Sequence, residues 1–126
     1  MNKQAFKNAV ASHDMETAIA QLADDVVFKS PVVYKAYEGK EPVSWILRAV
    51  GEVFEDFGYD SQVDEGDRMV LQFHARVGEK SVEGADFLTF REDGLISELT
   101  VMVRPMSGML ALAEAMKAKL EAAGVA

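Results

Sequence analysis

Residues 68–104 read RMVLQFHARVGEKSVEGADFLTFREDGLISELTVMVR, and the way this run divides into strands decides the fold. Gly78 and Asp93-Gly94 interrupt it where tight antiparallel turns need permissive backbone, leaving strand-like segments at 68–77, 80–91 and 96–104. Residues 59–63, ahead of Gly66, supply another. Successive strand side chains point to opposite faces, so each segment splits into two lists. In the first, Met69, Leu71, Phe73 and Ala75 oppose Val70, Gln72, His74 and Arg76. In the next, both lists hold large apolar residues, Ala85 and Phe87 on one side and Val82, Leu88 and Phe90 on the other. In the last, Leu99, Val101 and Val103 oppose Ile96, Thr100 and Met102.

Register decides which lists share a face. A three-residue turn at Gly78 pairs Val77 with Ser81, Gln72 with Asp86 and His74 with Gly84; a two-residue turn pairs Val77 with Lys80 and His74 with Glu83. We take the three-residue turn. One face then carries Val70, Gln72, His74, Asp86, Leu88, Leu99, Val101 and Val103, which we read as a pocket wall. The other carries Met69, Leu71, Phe73, Phe87 and Met102, an apolar patch of the kind that marks an interface, and we expect a two-fold homodimer there. Scattered surface apolar residues are the alternative.

Outward from this meander the periodicity turns helical. Phe6, Ala9 and Val10, then Met15, Ile19 and Leu22 after a capping Asp14, predict two short helices. Val26-Val27-Phe28 is a short strand stopped by Ser30-Pro31, and the loop over 31–39 carries Tyr34 and Tyr37, hydroxyl donors for a pocket mouth or caps on the packing. Between Glu41 and Phe57 the apolar residues keep to one helical face, with Pro42 in the first turn and Gly58 as the stop. Met109, Leu112, Ala113, Met116 and Leu120 predict a closing helix. Helices, an antiparallel sheet and a last helix make an α+β domain spanning 1–126.

The 126 residues leave no room for a second domain of normal size. A net charge of −8 repels a phosphate backbone, so nucleic acid is excluded as the expected partner. Without cysteine there is no disulfide and no thiolate nucleophile or metal ligand. No apolar run approaches a membrane span, and the first residues lack a signal peptide's apolar stretch, so a cytoplasmic location is expected. His13 and His74 are the only histidines and lie in separate elements, which argues against a metal site. The acidic residues between Glu52 and Asp67 read as a solvated face.

Asp86 and His74 are the candidate chemistry. A carboxyl in apolar surroundings has its pKa raised, histidine titrates near neutrality, and the two in one pocket would move protons as general acid and base. The alternative is that they satisfy each other or nearby backbone groups.

The chain resembles the nuclear transport factor 2-like superfamily, in particular its SnoaL-like and ketosteroid-isomerase-like branches. The resemblance rests on Leu22-Ala23-Asp24-Asp25-Val26-Val27-Phe28 before Ser30-Pro31, on Tyr37-Glu38-Gly39 before the long helix, and on the run from Phe87 to Ile96. It implies a cone-shaped half-barrel, a curved sheet wrapped around a long helix and an apolar pocket, with dimerisation through the outer sheet face. Ketosteroid isomerases use an aspartate base before the first strand's proline, and an oxyanion hole of a helix tyrosine and a protonated aspartate. Asp86 matches that last aspartate, but Ser30 stands at the base position and Phe6 at the tyrosine position, so steroid isomerisation by that route is not expected. The expectation is a cofactor-independent protein binding a small apolar or amphipathic molecule, an isomerase, cyclase or hydratase working through Asp86 and His74, or else a non-catalytic dimeric carrier or interaction module.

Overall fold

The computed structural model describes residues 3–124. Helices α1 (Gln4–Ala11) and α2 (Met15–Ala20) precede β1 (Leu22–Lys29), β2 (Tyr37–Glu38) and the long helix α3 (Lys40–Val53). Then come β3 (Glu55–Glu65), β4 (Arg68–Val77), β5 (Lys80–Phe90), β6 (Ile96–Arg104) and α4 (Met106–Ala122). Asp14 caps α2 as its sequence position predicts, accepting from the Thr17 backbone amide at 3.2 Å. Helix α3 stops four residues earlier than the apolar spacing suggests, because Phe54 is already extended (φ −73°, ψ 130°) and its side chain, with that of Phe57, joins the sheet side of the core. Gly58 is therefore a strand residue and not a helix stop.

The six strands form one curved, unclosed sheet in the order β2-β1-β6-β5-β4-β3. All neighbours are antiparallel except β1 and β6, which run parallel, Phe28 opposite Leu99. The helices cover one face. Leu22, Val26 and Phe28 from β1, Val43, Ile46 and Leu47 from α3, and Met69, Leu71, Leu88 and Leu99 from the sheet bury together, and a second cluster gathers Val53, Ala75, Val77, Val82 and Leu112 under α4.

The β4–β5 register differs from the sequence expectation by one residue. Val77 pairs with Lys80, Leu71 with Asp86, Phe73 with Gly84 and His74 with Glu83, so the turn holds only Gly78 and Glu79. Gly78 at φ 58° followed by Glu79 fits the glycine-first turn that matches strand twist in two-residue hairpins. A one-residue slip inverts one strand's faces relative to the other. Met69, Leu71 and Phe73 consequently lie in the helix-facing core, not on an outer interface. Val70, Gln72 and His74 lie on the opposite, convex face with Phe87 and Met102, and do not line a pocket with Asp86.

Close packing at one glycine fixes this register from the inside. A Cβ on Gly84 would stand 2.6 Å from the Met102 carbonyl oxygen and would overlap the Phe73 ring, which occupies the space that the missing side chain leaves. Phe73 in turn stacks on Phe57, with centroids 5.2 Å apart, and leans on Phe54. Replacing Gly84→Ala forces backbone and ring apart; we expect a loss of about 1–3 kcal/mol, read as a lower denaturant midpoint at unchanged slope. An unchanged midpoint would show that the ring is not held by this contact.

Candidate functional site

Under the concave face, between the sheet, α3 and the segment after β1, lies a cavity of about 90 Å³. That is room for several water-sized volumes or one small molecule, and less than drug-sized ligands use. Its wall is apolar, with Phe6, Phe28, Ile46, Leu47, Val50, Phe57, Phe73, Leu99, Val101 and Met116 among the lining side chains. Among the described residues, Asp86 is the one titratable group in that lining, and Ser30 the one hydroxyl.

Strand β5 places Asp86 on the concave face between Leu71 and Val101, its neighbours on β4 and β6. The carboxyl is buried, and burial raises its pKa to about 7, opposed by a hydrogen bond from Tyr59. Tyr59 Oη donates to Asp86 Oδ2 at 3.4 Å. Burial first, and then the nearby Asp86, push the phenol far above its usual range, so Tyr59 stays a neutral donor. Its position is set by aromatic packing, the Phe57 ring meeting it edge-on at 4.9 Å. A bulge in β3, where Asp56 takes φ 52°, shifts the strand's register so that Gly58 pairs with His74 and Tyr59 with Phe73. The sequence reading treats Tyr59 only as a strand start. The signal that finds it is the i, i+2 pair Phe57 and Tyr59, legible once α3 is ended at Val53.

The remaining candidates divide by face. Leu88 and Leu99 are buried on the concave side, and Leu99 and Val101 line the cavity. Val103 lies on the concave side too, opposite Gly84, but packs under α4 in the second cluster. His74 is on the convex side, half exposed, its Nδ1 2.8 Å from Asp60 Oδ1. Asp86 and His74 thus do not share a pocket and cannot pass a proton between them. Val70 and Gln72 accompany His74 on the convex face, Gln72 Oε1 accepting from Ser61 at 2.9 Å. Tyr37 packs against Phe28 and lines a groove outside the cavity, whereas Tyr34 is fully exposed. Phe6, not a tyrosine, sits in the cavity wall, and Ser30 Oγ accepts from the Val32 amide at 2.9 Å. The acidic stretch between Glu52 and Asp67 is largely exposed; Glu55 and Asp56 hold Arg76. No helix among the described residues is long and apolar enough to cross a membrane.

An open sheet wrapped on one long helix over an apolar cavity, with a single acid in its wall, defines a class of small α+β cones. The chain belongs to the SnoaL-like domain family, whose profile matches residues 3–99. It is similar to the crystal structure of a steroid delta-isomerase from Pseudomonas aeruginosa, at 43% identity and a TM-score of 0.89 over 93% of this chain and 87% of that one. An uncharacterized bacterial protein with a cystatin-like fold from Silicibacter pomeroyi is 38% identical, with a TM-score of 0.88 over 93% of this chain and 83% of that one. An NTF2-like protein from Mesorhizobium loti, 18% identical with a TM-score of 0.70 over 79% and 85% of the two chains, shares the fold. No protein of curated function matches the chain.

The raised pKa of Asp86 makes stability depend on pH in a defined sense. The unfolded carboxyl releases its proton near 3.8 and the folded one near about 7, so between those values the folded state holds a proton that the unfolded state has lost. Stability from this group therefore falls as pH rises through that window and is level above it. At roughly 1.4 kcal/mol per pKa unit the full effect is on the order of 4 kcal/mol. Asp86→Asn should lose this slope, so the wild-type-minus-variant difference in stability should fall as pH rises from about 4 to 7; a difference independent of pH over that range would mean that the carboxyl is not desolvated.

Proposed function

We propose that the chain binds a small apolar carbonyl compound in this cavity, with the protonated Asp86 donating a hydrogen bond to the carbonyl oxygen. The observation that supports it is the lone buried carboxyl in an otherwise apolar wall. Burial keeps it an acid near neutral pH, and a carboxylic acid, unlike a carboxylate, is a donor. The apolar wall holds the hydrocarbon part, and Tyr59 orients the carboxyl from outside the lining. Polarising a carbonyl is one half of isomerase chemistry. The other half needs a base, and among the described residues the cavity lining offers no second titratable group, so the reading is binding and polarisation by one acid. The 43% likeness to a steroid delta-isomerase favours catalysis as a second reading.

Cyclohexanone, which only accepts hydrogen bonds, tests both. By calorimetry its affinity should be constant below about pH 7 and fall toward tenfold per unit above it, as Asp86 loses its proton. Asp86→Asn keeps a donor and should bind without that pH dependence. Asp86→Leu should bind roughly tenfold more weakly for want of the hydrogen bond. Equal affinity in all three proteins removes Asp86 from the site, and protein-dependent deuterium exchange at the ketone's α-carbons would move the reading to catalysis.

A second copy of the chain on the convex face accompanies this proposal. Val63, Phe87 and Met102 are exposed there, Met102 to 58%. Charged groups around them are already paired within the chain, Arg104 with Glu83 and Lys29 with Glu98, and the His74 ring meets Asp60 at 2.8 Å. The net −8 is thereby muted where two copies would meet. Sedimentation should show a dimer at micromolar concentration and a monomer for Met102→Glu; a monomeric wild type rejects this interface.

A further inference from the structure

A second space adjoins the cavity. It is a groove of about 400 Å³ between α3, α4 and the loop after β1, half of its lining supplied by α4 through Ala113, Glu114, Met116, Lys117 and Leu120. Helix α4 lies beyond the segment that the family profile matches. Ser30, Val32, Ile46 and Met116 line both spaces, so the wall between them is a single layer of side chains. Two members of that layer are able to move. Val32 is exposed on the loop, and Met116, half-buried on α4, is unbranched and readily changes rotamer.

Resting on the carbonyl-binding reading above, we propose that cavity and groove form one site for an unbranched aliphatic ketone, its carbonyl at Asp86 and its alkyl tail passing between Val32 and Met116 into the groove. A chain fits this geometry better than a rigid polycycle, because the inner space is small and the passage is one side-chain layer wide. The groove rim carries one charge of each sign, Glu114 and Lys117, which leaves no net preference for an ionic end and suits a neutral tail. Tyr37 closes the far wall of the groove through its packing on Phe28.

The test is a series of methyl ketones from four to ten carbons, titrated calorimetrically into the intact chain at about pH 6. Affinity should keep rising by about fourfold per methylene past the length that fills the inner cavity. Ala113→Trp, which fills the groove without touching the cavity, should leave butanone binding unchanged and reduce decanone binding to that of the short members. Ala113→Leu should give an intermediate loss. An affinity plateau in the wild-type series, with butanone still bound through Asp86, overturns the two-part site and leaves the carbonyl reading standing. Absence of binding by any member overturns both.

Discussion

Leu71 stands opposite Asp86 across β4 and β5, and that one pairing assigns every side chain of these two central strands to a face. With it, Met69, Leu71, Phe73 and Ala75 meet Leu88, Asp86, Gly84 and Val82 beneath the helices. A slip of one residue would turn a whole strand over, exposing several of these apolar groups at about 1.5–3 kcal/mol each. The pairing is held at both ends. Gly78 supplies the positive φ of a two-residue turn, and Gly84 leaves the space that the Phe73 ring fills. The ring is then available to stack on Phe57, which fixes Tyr59, which reaches Asp86. Register, aromatic packing and the placement of the acid are thus one chain of contacts.

Much of the architecture is legible in the residues themselves. The ends of β4 and β6 coincide with the sequence segmentation, because Gly66 and Gly78 bracket the first and Gly94 and Pro105 the second, although alternation runs unbroken only in β4; a register shift at the start of β6 buries both Ile96 and Leu99. Asp86 as a buried acid is legible too, since Leu88 and Phe90 at the same parity mark its list as core. The choice of turn length is not, because Gly78 suits a two- or a three-residue turn equally well by composition. Burial alone would settle it: the wholly apolar list of β4 belongs under the helices, and the list containing Gln72, His74 and Arg76 belongs outside. Seeking a titratable partner for Asp86 in His74 inverts that order. Tyr59 is hidden for a different reason. Phe54 and Phe57 continue the apolar spacing of α3, and helical periodicity does not show where the backbone turns extended.

The convex and concave faces handle charge in opposite ways. Outside, Glu83 and Glu98 lie in water and are paired with Arg104 and Lys29, contacts of small energetic weight that neutralise the surface locally, and the His74 ring sits against Asp60. Inside, among the described residues, there is a single carboxyl with no cation near it, and Tyr59 as its one hydrogen-bond partner. A neutral phenol moderates the desolvation but does not abolish it, so the acid keeps its proton near pH 7. An arginine or lysine in Tyr59's place would relieve the burial cost and restore an ordinary carboxylate, which can no longer donate. The cost that Asp86 imposes on folding and its capacity to give a hydrogen bond in the cavity therefore have the same origin, and no substitution around it can remove the first while keeping the second.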